Sequence, residues 1–247
     1  MCTISNVVPN NWKRLPDEFY DKYKNSEIIE IPEYINNKLT NYIPSCSFED
    51  NLKVKKVHIP DSVVAMGDSV FMRCRNLVSV RLPTGLEILS KSSFAGCNNL
   101  KHVILPPKLL VIENQTFNGC CSLKSMYIPD SVETIEIYAF IYCQNLVSLS
   151  LPSKLTNIKD TVFMKSGLKH AYIRYRSDVF TERSGLEHVR YHWLRADTTL
   201  HHVNLCMLEL FEIALMSVLN LLDKNCVDDD VNIGAWLVDK YVPISDV

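Results

Sequence analysis

Between Leu77 and Phe94 the chain alternates and then breaks: Val80 and Leu82 are apolar, Ser79 and Arg81 are polar, and Pro83 follows. Period-2 alternation marks a short strand with one face buried, and a proline, lacking an N–H, ends its ladder. Leu86 and Leu89, three residues apart, fit a turn or short 3₁₀ segment returning along the opposite side. Phe94 then points back inward, and Cys97 packs as a small apolar residue at a tight turn eased by Gly96. The same order of events recurs every 23 residues. Apolar–proline pairs fall at Ile59-Pro60, Leu82-Pro83, Leu105-Pro106, Ile128-Pro129 and Leu151-Pro152. Phenylalanines keep step at Phe48, Phe71, Phe94, Phe117, Phe140 and Phe163, and cysteines at Cys74, Cys97, Cys120 and Cys143. A constant period of this length predicts a solenoid, in which each unit buries its apolar face only against its neighbours.

Following the phase outward predicts strands near residues 4–8, 27–31, 55–59, 78–82, 101–105, 124–128, 147–151 and 169–173, with a ninth at 187–191. Val8-Pro9 stands 23 residues before Ile31-Pro32 with Tyr20 at the phenylalanine position, which makes the N-terminus a degenerate unit. From Ile31-Pro32 to Ile59-Pro60 the spacing is 28, so five residues are inserted within 33–47, where a loop on one face is expected. Ser166-Gly167-Leu168 is echoed 18 residues later by Ser184-Gly185-Leu186 as the pattern fades. Beyond Arg195 it gives way to helical periodicity. Asp197 suits a helix start, residues 200–224 are helix formers with a stripe including Val203, Met207, Leu210 and Phe211, and residues 231–241 make a shorter helical run. Two regions follow: a solenoid over 1–195 of about eight units with degenerate ends, and a helical C-terminal cap over 196–247 that covers the last open unit.

The phased pattern Leu-x-x-Val-x-Leu-Pro, Leu-x-x-Ile and Phe-x-x-Cys-x-x-Leu is clearest from Leu82-Pro83 to Phe94-Ala95-Gly96-Cys97-Asn98-Asn99-Leu100. It resembles the BspA-type leucine-rich repeat, across roughly 4–191 and most strongly across 48–163. The resemblance implies an α/β leucine-rich-repeat solenoid with a parallel β-sheet on its concave side and irregular or 3₁₀ segments on its convex side, closed here by the C-terminal capping α-helices. It also implies a binding protein. Surface adhesins of that family carry export signals or anchors, and this sequence departs from them in having neither pattern. Leu15-Pro16-Asp17-Glu18-Phe19 is similar to the opening of an F-box, a longer helical module for which the strand expected from residue 27 leaves no room.

Composition changes this picture little. With 47% hydrophobic and 22% charged residues the chain is that of an ordinary globular protein. The net charge of −2 is unevenly spread: residues 51–195 hold 19 basic against 11 acidic side chains, between an acidic head and an acidic tail. Nine cysteines, an odd number with four fixed to the repeat, fit buried thiols in a reducing compartment rather than a disulfide framework. No cysteine or histidine spacing matches a zinc site; His201, His202 and Cys206 lack further ligands. Neither a metal nor a cofactor is expected. The apolar run 203–222 is broken by Glu209 and Glu212, so no membrane span is expected, and without a signal peptide a cytoplasmic location is.

Given the concave sheet that the resemblance implies, the residues flanking each strand's central apolar position face it. Candidate binding residues are Lys56, His58, Arg81, His102, Tyr127, His170, Tyr172, His188 and Arg190. Basic and aromatic groups without carboxylates suit an acidic protein partner, or a phosphate backbone. No Ser/His/Asp set, phosphate loop or paired-acid motif stands out, so neither catalysis nor a small-molecule substrate is expected. The expected role is a non-enzymatic protein-interaction scaffold working through the concave face, the C-terminal helices or both. The alternatives are a structural subunit of a larger assembly, a nucleic-acid-binding protein and an adhesin-like surface repeat protein.

Overall fold

In the computed structural model, which describes residues 17–152, 154–159, 161–173 and 190–193, the alternating segment before each proline is a strand. Chain order runs α1 (Asp17–Tyr23), β1 (Ile28–Glu30), β2 (Tyr34–Ile35), β3 (Lys38–Leu39), β4 (Tyr42–Ile43), β5 (Lys56–His58), β6 (Ala65–Met66), β7 (Ser79–Arg81) and β8 (Ile88–Leu89). It continues with β9 (His102–Ile104), β10 (Val111–Ile112), β11 (Ser125–Tyr127), β12 (Thr134–Ile135), β13 (Ser148–Leu151), β14 (Asn157–Ile158), β15 (His170–Ile173) and β16 (Arg190–Trp193). The strands preceding the prolines and the two that follow them, β15 and β16, pair in parallel as β1-β5-β7-β9 and β11-β13-β15-β16. They fall where the alternation predicts, except at the two ends: residues 4–8 and the cap at 196–247 lie outside the described residues.

The ninth strand occupies 190–193 rather than 187–191. Register is the reason: β13 and β15 pair Ser148 with His170, a step of 22, and β15 and β16 pair His170 with Arg190, a step of 20. The repeated Ser-Gly-Leu spacing of 18 therefore does not carry over to the backbone. At the step of 22, Gly167 sits so close to the Gln144 carbonyl that a Cβ could not be accommodated.

The return side differs from the expected turn or 3₁₀ segment. Two-residue strands there form a second parallel ladder, β8-β10-β12-β14, with β4 and β6 paired ahead of it. A constant period brings Ile88, Val111, Thr134 and Asn157 into lateral register, so their backbone groups find partners in neighbouring units rather than within one turn. No 3₁₀ segment occurs among the described residues.

Between the ladders each unit makes a turn centred on its phenylalanine. The residues two before and two after it are left-handed: Cys46/Asp50, Ser69/Arg73, Ser92/Gly96, Gln115/Gly119, Tyr138/Tyr142 and Thr161/Lys165, with φ from 55 to 74°. Nine of their N–H groups point sideways and donate to the next unit, as Ser92 to Asn114 O (3.0 Å) and Gly96 to Asn118 O (2.7 Å). The phenylalanines stack with centroids 5.3–5.7 Å apart and ring planes within 14°. Aromatic pairing of this kind adds to the burial energy.

The repeat cysteines are wholly buried, and they do more than fill space. Each thiol donates to the carbonyl of the phenylalanine 26 residues earlier: Cys74 to Phe48 (3.0 Å), Cys97 to Phe71 (3.1 Å), Cys120 to Phe94 (3.3 Å) and Cys143 to Phe117 (3.1 Å). Burial pushes the Cys74 and Cys143 thiols up to about 12 and the other two well above their usual value.

The inserted residues form a β-hairpin, β2–β3, turned by Asn36 (φ 50°) and Asn37 (φ 61°). Two successive positive φ values are the mark of a type I′ turn, which asparagine tolerates. At the N-terminal end, α1 occupies the later part of the expected degenerate unit, whose strand lies outside the described residues. Phe19 meets Phe48 edge-on at 6.4 Å, with Tyr23 against Phe19 at 4.7 Å. The helix thus covers the end of the aromatic stack.

Candidate binding face

Strand register fixes which side chains share the outer face of the principal sheets. One row runs Ile28, Lys56, Ser79, His102 on the first sheet and Ser125, Ser148, His170, Arg190 on the second. The other runs Glu30, His58, Arg81, Ile104, then Tyr127, Ser150, Tyr172, His192. The central residues between the rows are mostly buried: Ile29, Val57, Val80, Met126, Leu149 and Ala171. Alternation along a pleated strand is what separates the two sets.

Eight of the nine predicted site residues occupy these rows; His188 lies outside the described residues, and register puts Arg190 in the place expected for His188 and His192 in the place expected for Arg190. The misplaced 18-residue echo hid His192, and the Tyr191-His192-Trp193 alternation was the available signal. Lys56 is exposed, whereas His58, Arg81, His102 and Tyr127 are partly buried by their neighbours.

Arg81 is the best-connected group of the face. Its Nη1 donates to His58 Nε2 (2.9 Å), and its Nη2 lies 3.5 Å from Asp61 Oδ2. Arginine has only donors, so His58 Nε2 is the acceptor of this contact. Asp61 comes from the turn after β5, so the sequence, which counted acids only on strands, missed a carboxylate at the edge of the face. At His102, partial burial and then the charge of Lys101 hold the imidazole below its usual value, which favours its neutral form.

Part of the basic excess is neutralised internally. Arg73 forms a two-pronged pair with Asp50 (2.7 Å at both oxygens) and reaches Glu49 (2.7 Å); Lys55 meets Glu27 at 2.9 Å. The Arg73 hydrogen bonds hold the Asp50 carboxyl below its ordinary range. Such a face can offer hydrogen bonds, aromatic contact and a modest positive field. Among the described residues no group of three or more metal-capable side chains comes together, and no helix is long and apolar enough to cross a membrane.

Comparison with known proteins agrees with this architecture. A family model for the BspA type leucine-rich repeat region matches in six copies over residues 2–77 and 64–184. Among solved structures, a leucine-rich repeat protein of T. pallidum is 24% identical with a TM-score of 0.57, over 65% of this chain and 86% of that one. One from Bacteroides ovatus is 26% identical at 0.53, over 60% of this chain and 41% of that one. One from Eubacterium ventriosum is 19% identical at 0.55, over 65% and 47%. The chain thus spans less than half of the latter two. No curated protein matches it.

Proposed function

The chain belongs to the BspA-type leucine-rich repeat family, and from that premise we propose that it is a non-enzymatic scaffold that captures a protein partner on the outer face of its principal sheets. One observation carries the reading: after Glu30, neither row of that face contains a carboxylate, while Lys56 supplies charge, Arg81 hydrogen-bond donors and Tyr127 aromatic surface. Repeat solenoids use their extended strand face for binding. Tyrosine and arginine are the side chains most often central to interfaces, and a face without acids favours an acidic patch on the partner. The internal pairing of Arg73, Lys55 and Arg81 leaves fewer cations for a phosphate backbone, which ranks nucleic acid second. Free thiols at all six described cysteines fit a reducing compartment such as the cytoplasm.

The test compares the unaltered chain with a variant carrying R81Q, H102Q, Y127S and H170Q as bait in a lysate of the source cell. Quantitative mass spectrometry should find at least one protein lost from the variant, whose melting temperature stays within a few degrees of the parent. Equal capture by both baits removes the face from consideration.

A further inference from the structure

The principal sheet is interrupted at one junction. β9 and β11 belong to consecutive units, yet they do not pair. At four other junctions a carbonyl just before the strand accepts two N–H groups from the next unit: Glu27 from Lys55 and Lys56, Lys55 from Val78 and Ser79, Val78 from Lys101 and His102, Lys124 from Val147 and Ser148. The Lys101 carbonyl takes neither Lys124 nor Ser125 in this way. Elsewhere the same two units are fully stitched. Ser122 N–H donates to Asn98 O (2.9 Å), Glu133 N–H to Leu110 O (2.9 Å), β10 pairs with β12, and Phe94 stacks on Phe117 at 5.7 Å. The opening is therefore a slot in the binding face alone, between residues 101–105 and 124–128.

Three further observations fall on this slot. Val103 is only partly buried, whereas the central residue of every other principal strand from β1 to β15 is buried. Ser125 Oγ is shielded from solvent yet has no hydrogen-bond partner. Lys101 and Lys124, at corresponding positions on the two rims, are both exposed and form no ion pair among the described residues. An open strand edge is a template for another extended chain, with main-chain hydrogen bonds giving affinity and alternate side chains giving specificity.

We propose that the slot between β9 and β11 receives an extended segment of a protein partner by β-strand addition. The segment hydrogen-bonds to the backbone along 101–105 and 124–128, sets an apolar side chain over Val103, and carries acidic side chains near Lys101 and Lys124. The proposal rests on the reading above of a protein-binding face and specifies how the partner is held.

The probe is an eight-residue peptide alternating glutamate and valine, capped at both ends, beside a version N-methylated at alternate amides. N-methylation keeps the side chains and removes backbone donors. Amide hydrogen exchange of the full chain is followed with and without each peptide. In the free chain the Val103, Leu105 and Ser125 amides should exchange at least about tenfold faster than their equivalents in β5 and β7, because unpaired edges open without unfolding. The plain peptide should slow those amides by about tenfold or more and the N-methylated one should not. Slot amides protected in the free dilute chain, or protected only as its concentration rises, overturn the proposal: the slot is then closed or filled by a second copy. Equal protection by both peptides overturns it as well, since the backbone is then not the recognised feature. Because exchange at the slot is read without any cellular partner, these results separate from the four-residue variant: loss of capture there with a closed slot keeps the binding face and discards strand addition.

Discussion

At the scale of single residues, the cysteines show how an ordinary periodic pattern conceals a polar function. Their phase identified them as buried, but not that each thiol would add a second hydrogen bond to a carbonyl that already closes the turn below. Their burial sets a pH response. The folded chain holds the thiols protonated, up to about 12 at Cys74 and Cys143, while an unfolded chain releases them near 9.0. Stability is thus fully present below pH 9.0 and falls as pH rises toward the folded values, by roughly 1.4 kcal/mol per pH unit for each thiol. Urea midpoints measured at pH 8 and pH 10 should differ less for Cys120→Ala than for the parent, because one titrating thiol is gone. Parallel behaviour of the two proteins would mean the buried thiol carries no such linkage.

At the scale of the element, the phenylalanine turn is the unit's least ordinary part. Twelve left-handed residues flank six phenylalanines, and only Gly96 and Gly119 among them are glycine. Glycine signalled the conformation at two turns; at the ten other positions, occupied by side chains as varied as cysteine, serine, arginine, glutamine and tyrosine, residue type gave no common sign, because hydrogen bonds donated laterally to the next unit accompany it instead. A Cβ at Gly119 would meet nothing closer than 3.9 Å, so Gly119→Ala tests conformation without collision. It should destabilise by about 1 kcal/mol, and Ser69→Gly should stabilise by about 0.5 kcal/mol. Chemical denaturation of both variants checks the pair, and an unaffected Gly119→Ala would show that the turn does not need φ > 0. The long strands were legible from alternation alone. The second ladder was not, since two residues are too few to show a period and only lateral register reveals the pairing. The hairpin was visible as five surplus residues, but not its shape.

For the whole molecule, stability should add up unit by unit. Excising residues 72–94 joins Phe71 to Ala95 and leaves the step between neighbouring strands at 23. That chain should retain strand circular dichroism and unfold cooperatively, with a smaller denaturant m-value in proportion to the surface removed. Collapse into an aggregate would show that one unit holds contacts the others cannot replace. The outer face of the principal sheets, the proposed binding face, was half legible: alternation assigned residues to its rows through β15, while the shortened steps of 22 and 20 displaced the last strand and hid His192.

The thiol-to-carbonyl ladder also gives the solenoid four reporters at known depths. Each sulfur is sealed between adjacent units, so an alkylating reagent meets it only after those two units part. Labelling Cys74, Cys97, Cys120 and Cys143 in native buffer, and resolving the four sites by mass, would time the separation of each neighbouring pair without introducing a single substitution.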